Sequence, residues 1–479
     1  MIMKRRTLLL SGLAAATSFA APAWADRPRR RPLPSPAEML ERARLGAADL
    51  GFVAIDLRSG TAGMSVQPDM MLPPASTLKT VTALYALDRL GAGHRFTTRV
   101  LRDGDTLVLA GGGDPTLDTD GLAALAQDTA RAVGDWRPAR FVVWGGALPR
   151  VEQIAPGQAA HLAYNPAISG MILNFNRVHL GWRCETDCAL SLEARAEGHS
   201  PRAYSIAAAV RPGGGAYLHG ASGGREQWDI PRRGLSARGT RWLPVRRPEA
   251  YAGDVFQTLA RAAGLPLPAP EVIDTAPSGA EIARRDSEPL PAILHGMLKH
   301  STNLTAEVVG LAASGADGQV ASAQAMAGWL AETGAGPAQL ADHSGLSAGN
   351  RISAGVLARM LARPAARGEL RPLLNADPLR DVLGPDAGGS GAGGAPLVQA
   401  KTGTLNFVSC LAGYATLLQG AEVAFAALVA DDRRRAATEG QDWPEGSLAW
   451  VRRAKLLQRD LVAASVTAPE PFHPLPPEI

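Results

Sequence analysis

The sequence predicts an α/β protein in which one large β-rich block lies between two stretches of helical pattern. Three observations predict it. The chain has 479 residues, beyond the roughly 250–300 at which a single hydrophobic core stops growing, so two or three domains are expected. Helix-period apolar patterns occur before Phe96 and return from Ile282, whereas the stretch from Phe96 to Pro268 reads as short strands separated by Gly/Pro turns. With 46% hydrophobic, 20% charged and 5% aromatic residues the composition is ordinary for a globular protein, which excludes wholesale disorder, collagen and a long coiled coil.

Taken in order, the chain begins with Lys4, Arg5 and Arg6, followed from Thr7 to Ala25 by a run without charge that ends Ala23-Trp24-Ala25. A basic start, a short apolar run and an Ala-x-Ala site make a secretory signal peptide over 1–25, cleaved after Ala25. An uncleaved membrane anchor is the alternative, but Pro22 and the Ala-rich, short run suit cleavage better. Arg5-Arg6 before Thr7-Leu8-Leu9 has the look of a twin-arginine signal, with Lys4 where that signal prefers Ser or Thr. Export to the periplasm by the general secretory or the twin-arginine route is therefore expected. The formal net charge is +4, and without those three cations about +1. So balanced a chain lacks the basic excess of a nucleic-acid binder; no nucleic-acid partner is expected, and at most peripheral membrane association.

From Asp26 an Arg/Pro-rich linker runs to Pro36, and a helical pattern passes through Met39, Leu40, Ala43, Leu45 and Leu50. Residues 51–57 and 62–66 read as strands about a turn at Arg58-Ser59-Gly60. Leu78, Val81, Leu84, Leu87 and Leu90, with Gly91 as the stop, predict a buried helix. Within the β-rich block, assigned to 96–269, residues 106–109 and 141–144 read as strands and 121–133 as the one helix. The Gly- and Arg-rich stretch 177–233 reads as a sub-domain. Cys184 and Cys188 are spaced to close a small loop, and the sequence leaves open whether they do; Cys410, in an apolar run, reads as a buried thiol. Helical patterns then return, followed by a strand pair around 398–414 and 422–430 and a last helix through Trp450, Leu456, Leu457 and Leu461. Segments 26–95 and 270–466 carry these patterns on either side of the β-rich block, and 467–479 is a Pro-rich tail expected to be disordered.

Three strings carry chemistry: Ser76-Thr77-Leu78-Lys79, Ser301-Thr302-Asn303 and Lys401-Thr402-Gly403. Each is weak alone, and their order and contexts add the weight. Ser76 and Lys79 lie three apart at the start of the helix, on one face, with the hydroxyl within reach of the amine. The positive helix end, burial and a nearby Lys401 disfavour an ammonium, which suits Lys79 to act as general base on Ser76. The alternative is a capping serine beside a solvated lysine. The chain, however, has five lysines among 49 basic residues, and an amine, unlike a guanidinium, can lose its proton. Lys401, Thr402, Gly403 and Thr404 open an apolar strand. The glycine lets a substrate backbone approach closely, and a cation with hydroxyls on a strand edge suits an extended peptide ending in a carboxylate; a surface strand start is the alternative. Ser301 and Asn303 lie between two helical segments, placed to relay a proton and hold a substrate amide. Alone, that triplet reads as a helix cap, with Ser301 satisfying the amides of the helix that follows.

With these strings the sequence resembles the class C low-molecular-mass penicillin-binding proteins, of the penicillin-binding protein 4 type, which are D-Ala-D-Ala carboxypeptidases and endopeptidases. The likeness covers most of the mature chain. It includes Pro74-Ala75-Ser76-Thr77-Leu78-Lys79-Thr80, Gly111-Gly112-Gly113-Asp114-Pro115-Thr116-Leu117, Ala306-Glu307, Ser344-Gly345-Leu346-Ser347 with Asn350-Arg351, and Ala400-Lys401-Thr402-Gly403-Thr404-Leu405. The 225 positions from Ser76 to Ser301 are far more than in ordinary β-lactamases and match that family's large insertion.

The resemblance implies a β-lactamase/transpeptidase-like domain, an antiparallel sheet flanked by helices, split by a β-rich insertion of one or two domains. It implies a serine DD-peptidase, with no cofactor and no metal, that acts on D-Ala-D-Ala ends and D-Ala cross-links of peptidoglycan stem peptides and is inhibited by penicillin and other β-lactams. Ser76 would be the acylated nucleophile and Lys79 its base; Ser301 and Asn303 the relay and orienting pair; Lys401, Thr402, Gly403 and Thr404 the substrate site. The amides of Ser76 and Thr404 would form the oxyanion hole. Thr302 and His343 stand where the family has Asp and Gly, and 374–396 lacks the family's usual pattern.

Other signals read as empty. Residues 345–349 and 220–224 match Gly-x-Ser-x-Gly without the strand-to-helix context of a nucleophile elbow. Asp342, His343 and Ser344 are triad types, but adjacent side chains diverge. Gly111 to Gly113 reads as a turn rather than a phosphate cradle, and the nine scattered histidines imply no metal site. Two further functions stay in view, a β-lactamase-like hydrolase and a non-catalytic peptidoglycan-binding protein. The oligomeric state is not legible.

Overall fold

The computed structural model describes residues 34–379, 396–416, 420–442 and 444–467. The expected signal peptide, the tail beyond Thr467 and most of the 374–396 stretch lie outside the described residues. The organising element is a six-stranded antiparallel sheet in the order Asn375–Ala376, Leu397–Leu405, Val408–Thr416, Glu422–Ala430, Asp49–Asp56, Ala62–Val66. Because successive strand residues point to opposite faces, the apolar strands feed two cores at once. Val53, Ile55, Cys410, Ala412, Tyr414, Ala426 and Leu428 face one core. Phe52, Ala54, Leu411, Ala415, Phe425, Ala427 and Val429 face the other. Burial on both faces is why these strands read as continuous apolar runs rather than as alternation.

The first core is closed by the helices Lys79–Leu90, Leu290–His300, Asn303–Ser314, Gln319–Glu332 and Ala354–Ala362. The second is closed by Pro36–Ala43 and the long helix Ser447–Thr467. There Trp450 is fully buried, its ring against Phe407 and its Nε1 donating to the Leu45 carbonyl at 3.1 Å.

The chain between the first helix-bearing segment and the second forms a five-stranded sheet in the order Pro270–Ile273, Arg140–Trp144, Thr106–Ala110, Thr97–Asp103, Ala280–Asp286. Thr119–Val133 and Pro248–Ala262 share its core. Two three-stranded sheets follow it, one of Arg238–Pro244, Arg177–Cys184 and Cys188–Glu193, the other of Leu218–Ser222, Arg225–Pro231 and Ile206–Arg211. Cys184 and Cys188 are disulfide-bonded at the turn of the first. Cys410 is a buried free thiol.

Several local expectations need correction. The first helix stops at Ala43, because Arg44 turns to φ 52°, and Leu50 already belongs to a strand. The β-rich block holds a second helix, Pro248–Ala262, started by a proline at its first turn and carrying buried Tyr251, Ala252, Val255, Phe256 and Leu259 at helical spacing. The boundary at 269/270 cuts through a sheet: Pro270–Ile273 pairs with Arg140–Trp144, and Ala280–Asp286 pairs with Thr97–Asp103. Helices therefore resume at Leu290, not Ile282. The sheets around 177–233 extend to Pro244. The single strand expected over 398–414 is a hairpin, broken at Asn406-Phe407, where Phe407 has φ 54°.

Trp450→Ala removes the largest side chain from the core between the sheet and the C-terminal helix. It should destabilise the protein by about 3–5 kcal/mol, seen as a lower midpoint in urea unfolding followed by far-UV circular dichroism; an unchanged midpoint would contradict this packing.

Candidate active site

Ser76 lies in a single 3₁₀ turn, Ala75–Leu78, that runs straight into the helix Lys79–Leu90. The turn is pinned from within. Thr77 Oγ1 donates to the Pro74 carbonyl at 2.6 Å, while Ala75, Thr77 and Leu78 are buried. Lys79 is wholly buried, and its Nζ reaches three oxygens: Ser76 Oγ at 3.0 Å, Asn303 Oδ1 at 2.8 Å and the Ser344 carbonyl at 2.7 Å. Asn303 is oriented by its other amide atom, since Nδ2 donates to the Tyr164 carbonyl at 3.1 Å. That contact brings the inserted block to the site.

The partner types decide the proton inventory. A carbonyl and an amide oxygen only accept, so two N–H groups of Lys79 are committed to Ser344 and Asn303. The hydroxyl of Ser76 is the one partner that can also donate. An ammonium satisfies all three contacts by donating to each oxygen, and a neutral amine, with two N–H groups and one lone pair, satisfies them as well with its lone pair turned to the Ser76 hydroxyl. Burial pulls Lys79 down to about 8, against the opposing pull of Asp342 first and Glu307 second. Of the three causes expected from the sequence, the positive helix end, burial and a nearby Lys401, burial is the main one.

Two buried carboxylates shape the loop that delivers the Ser344 carbonyl. Glu307, on the helix Asn303–Ser314, accepts from the amides of His343 and Ser344 and from Gln319 Nε2. Asp342 accepts from the Gly345 amide at 2.8 Å, the Ser347 amide at 2.6 Å and Asn350 Nδ2 at 2.7 Å. Burial and the charge of Asp342 push Glu307 up to about 8; burial likewise raises Asp342, with its amide donors and Lys79 pulling the other way. Gly345 has φ 81°, and a Cβ there would overlap the Ala75 carbonyl oxygen, so the loop rests directly on the backbone that holds Ser76.

The third string is the strand Leu397–Leu405. It passes the nucleophile so closely that a Cβ on Gly403 would come within 2.9 Å of the Ser76 amide nitrogen. Lys401 is buried, its Nζ donating to the Thr402 carbonyl at 2.6 Å. Burial holds it well below the ordinary lysine range, helped by the charges of Lys79 and Lys455. Thr402 is partly exposed and Thr404 exposed. Ser301 ends the helix Leu290–His300 in the left-handed region, φ 56°. The helix after it begins behind Thr302, with no side-chain cap, so the capping alternative does not hold for Ser301. Among the described residues no hydrogen bond joins the Ser301 hydroxyl to Ser76 or Lys79, unlike Asn303.

The remaining strings resolve as structure. His343 is buried and bonded through Nε2 to Ser322 Oγ at 2.7 Å, not to a serine of its own loop. The amides of Gly111 and Gly113 go to the carbonyls of Trp144 and Gly170, leaving no cradle. Ser222 is the exposed last residue of the strand Leu218–Ser222, beside a hairpin turn. Sequence reasoning named the strings containing Glu307, Asp342 and Ser344 but gave them no role, and it missed Tyr164. One signal for Glu307 was available: a lone carboxylate inside the apolar run Leu304 to Leu311 has to find buried donors.

The model of the D-Ala-D-Ala carboxypeptidase 3 (S13) family matches residues 35–180 and 229–447. A D-alanyl-D-alanine carboxypeptidase of an Actinomadura species is 29% identical over 81% of this chain and 78% of its own. A carboxypeptidase of Mycobacterium tuberculosis is 31% identical over 79% of this chain and 76% of its own. Among solved structures, penicillin binding protein 4 of Haemophilus influenzae superposes with a TM-score of 0.69 at 19% identity, over 90% of this chain and 100% of that one, a likeness of fold.

Gly345→Ala would force the 342–350 loop off Ala75. Labelling of Ser76 by a serine-reactive fluorophosphonate should fall by at least about tenfold, followed by intact-protein mass spectrometry; unchanged labelling would show that the loop does not position the serine.

Proposed function

The chain belongs to the D-Ala-D-Ala carboxypeptidase 3 (S13) family, and on that premise we propose that it is a periplasmic serine DD-peptidase. It releases the terminal D-Ala of peptidoglycan stem peptides, cleaves D-Ala cross-links, and is acylated by penicillin. The reading of Ser76 and Lys79 as nucleophile and base is supported above all by the amine whose only donor-capable partner is a serine hydroxyl. The periplasmic location rests on the export signal expected in 1–25.

In this mechanism Ser76 Oγ attacks the carbonyl carbon of the penultimate D-Ala while Lys79 Nζ takes the hydroxyl proton. The oxyanion of the tetrahedral intermediate lies against the amides of Ser76 and Thr404, which the close passage of Gly403 past Ser76 favours. The peptide C–N bond then breaks, the proton passes from Lys79 to the leaving amine with Ser301 as relay, and D-Ala departs. Asn303 holds the amide of the acyl side. Water, losing a proton to the same amine, attacks the ester carbon; the C–O bond to Ser76 breaks and Lys79 returns the proton to Ser76 Oγ. Lys401, with Thr402 and Thr404, receives the substrate carboxylate. Burial, with the charges of Lys79 and Lys455, holds Lys401 below the ordinary lysine range, and an arriving carboxylate would favour its ammonium form.

Labelled penicillin should form a long-lived adduct on Ser76, and Ser76→Ala should lose both the adduct and the release of D-Ala from a D-Ala-D-Ala peptide. An intact, folded protein that takes no label even at high penicillin would overturn the reading, and rapid turnover of penicillin would replace it with a β-lactamase. Since protonated Lys79 cannot accept the serine proton, the second-order acylation rate should rise with pH through about 8. Lys79→Ala should lower that rate by about 10²–10⁴-fold. A rate that is flat from neutral to alkaline pH, or a Lys79→Ala protein acylated at the normal rate, would contradict Lys79 as the base.

A further inference from the structure

Lys79 is held by a peptide unit that is itself held from behind. The Ser344 carbonyl accepts from Lys79 Nζ at 2.7 Å. The N–H of that same peptide unit, carried by Gly345, donates to Asp342 Oδ1 at 2.8 Å. We infer that Asp342 is a positioning residue that acts on Lys79 through the single peptide unit Ser344–Gly345. Its carboxylate polarises the N–H and so strengthens the opposite carbonyl as acceptor for the amine. The inference rests on the reading of Lys79 as base.

The arrangement is built rather than incidental. Asp342 is fully buried, and its three donors all come from its own loop: the amides of Gly345 and Ser347 and the side chain of Asn350. Asn350 in turn takes the Ala341 amide at 2.8 Å, closing the loop on itself. Gly345 presses on the Ala75 carbonyl, so the peptide cannot turn away without disturbing the nucleophile's backbone. Glu307 grips the preceding peptide, through the Ser344 amide at 2.8 Å, and never meets the Ser344 carbonyl unit. The charges of Asp342, from the loop, and Glu307, from the helix Asn303–Ser314, act on the Lys79 amine; Lys401, from the strand Leu397–Leu405, interacts with the charge of Lys79, and Lys455, from the helix Ser447–Thr467, with that of Lys401. Of the two carboxylates, Asp342 holds Lys79 up the more strongly. Without it the amine loses its proton at lower pH.

The test is the pH profile of penicillin acylation of the full chain, in wild type, Asp342→Asn and Glu307→Gln. Asp342→Asn should move the rise in rate to lower pH by about one unit, and Glu307→Gln by clearly less. A midpoint left unmoved by Asp342→Asn, or moved equally by both variants, overturns the inference while leaving Lys79 as base intact. A wild-type protein that penicillin does not acylate removes the underlying reading instead. Should Asp342→Asn fail to fold, wild type gives the answer. Protein labelled with carbonyl-13C serine and 15N glycine reports the Ser344–Gly345 peptide by NMR. Its 15N shift should titrate with the midpoint of the acylation profile, and a shift that stays constant across that range overturns the inference.

Discussion

A primary amine with no exposed surface, surrounded by three oxygens of which only one can donate, is the constraint on which the rest of this structure depends. Burial removes the hydration that would favour an ammonium, and the two obligate acceptors fix where its hydrogens go. What is left of the nitrogen faces Ser76. Everything nearby serves to keep that geometry: a pinned 3₁₀ turn beneath the serine, a helix that carries Asn303, and a loop closed by its own carboxylate. The two carboxylates moderate the effect of burial, so the amine is lowered without being stripped of its basicity.

The large insertion is coupled to this centre rather than merely tolerated by it. Its Tyr164 carbonyl fixes the amide of Asn303, and its Ile154 carbonyl accepts from Gln319, which also bonds Glu307. A 3.1 Å hydrogen bond therefore links the β-rich block to the side chain that orients Lys79. The six-stranded sheet completes the frame. Its strand Leu397–Leu405 can pass close to Ser76 because Gly403 lacks a side chain at the crossing. The same strand's Lys401 is kept buried, close enough to Lys79 for their charges to interact.

Much of this was legible in the sequence because its signals are local. The serine and lysine three apart, the helix stopped by Gly91, and the Lys-Thr-Gly strand start are short-range patterns, and in the structure Lys79 hydrogen-bonds both Ser76 and Asn303. What escaped is non-local. Nothing in residues 270–286 announces that they pair with strands far earlier in the chain, so the boundary fell too soon. The hairpin break at Phe407 lies inside an apolar run that reads as continuous because its strands are buried on both faces. Asp342 looked like part of a failed triad, since its role lies in a hydrogen bond to a backbone amide three residues on and in what the far side of that peptide touches. The helix Pro248–Ala262 was the exception, a local signal overlooked among strand-like neighbours.

The central claim is most directly tested by observing the proton on Lys79. With five lysines in the whole chain, a 13Cε-lysine NMR titration of the free protein gives few signals, and that of Lys79 is the one lost in Lys79→Ala. The account predicts a midpoint at about 8, well under the ordinary 10.5. A Lys79 signal that titrates at the ordinary lysine value, in a protein that is folded throughout, would contradict it.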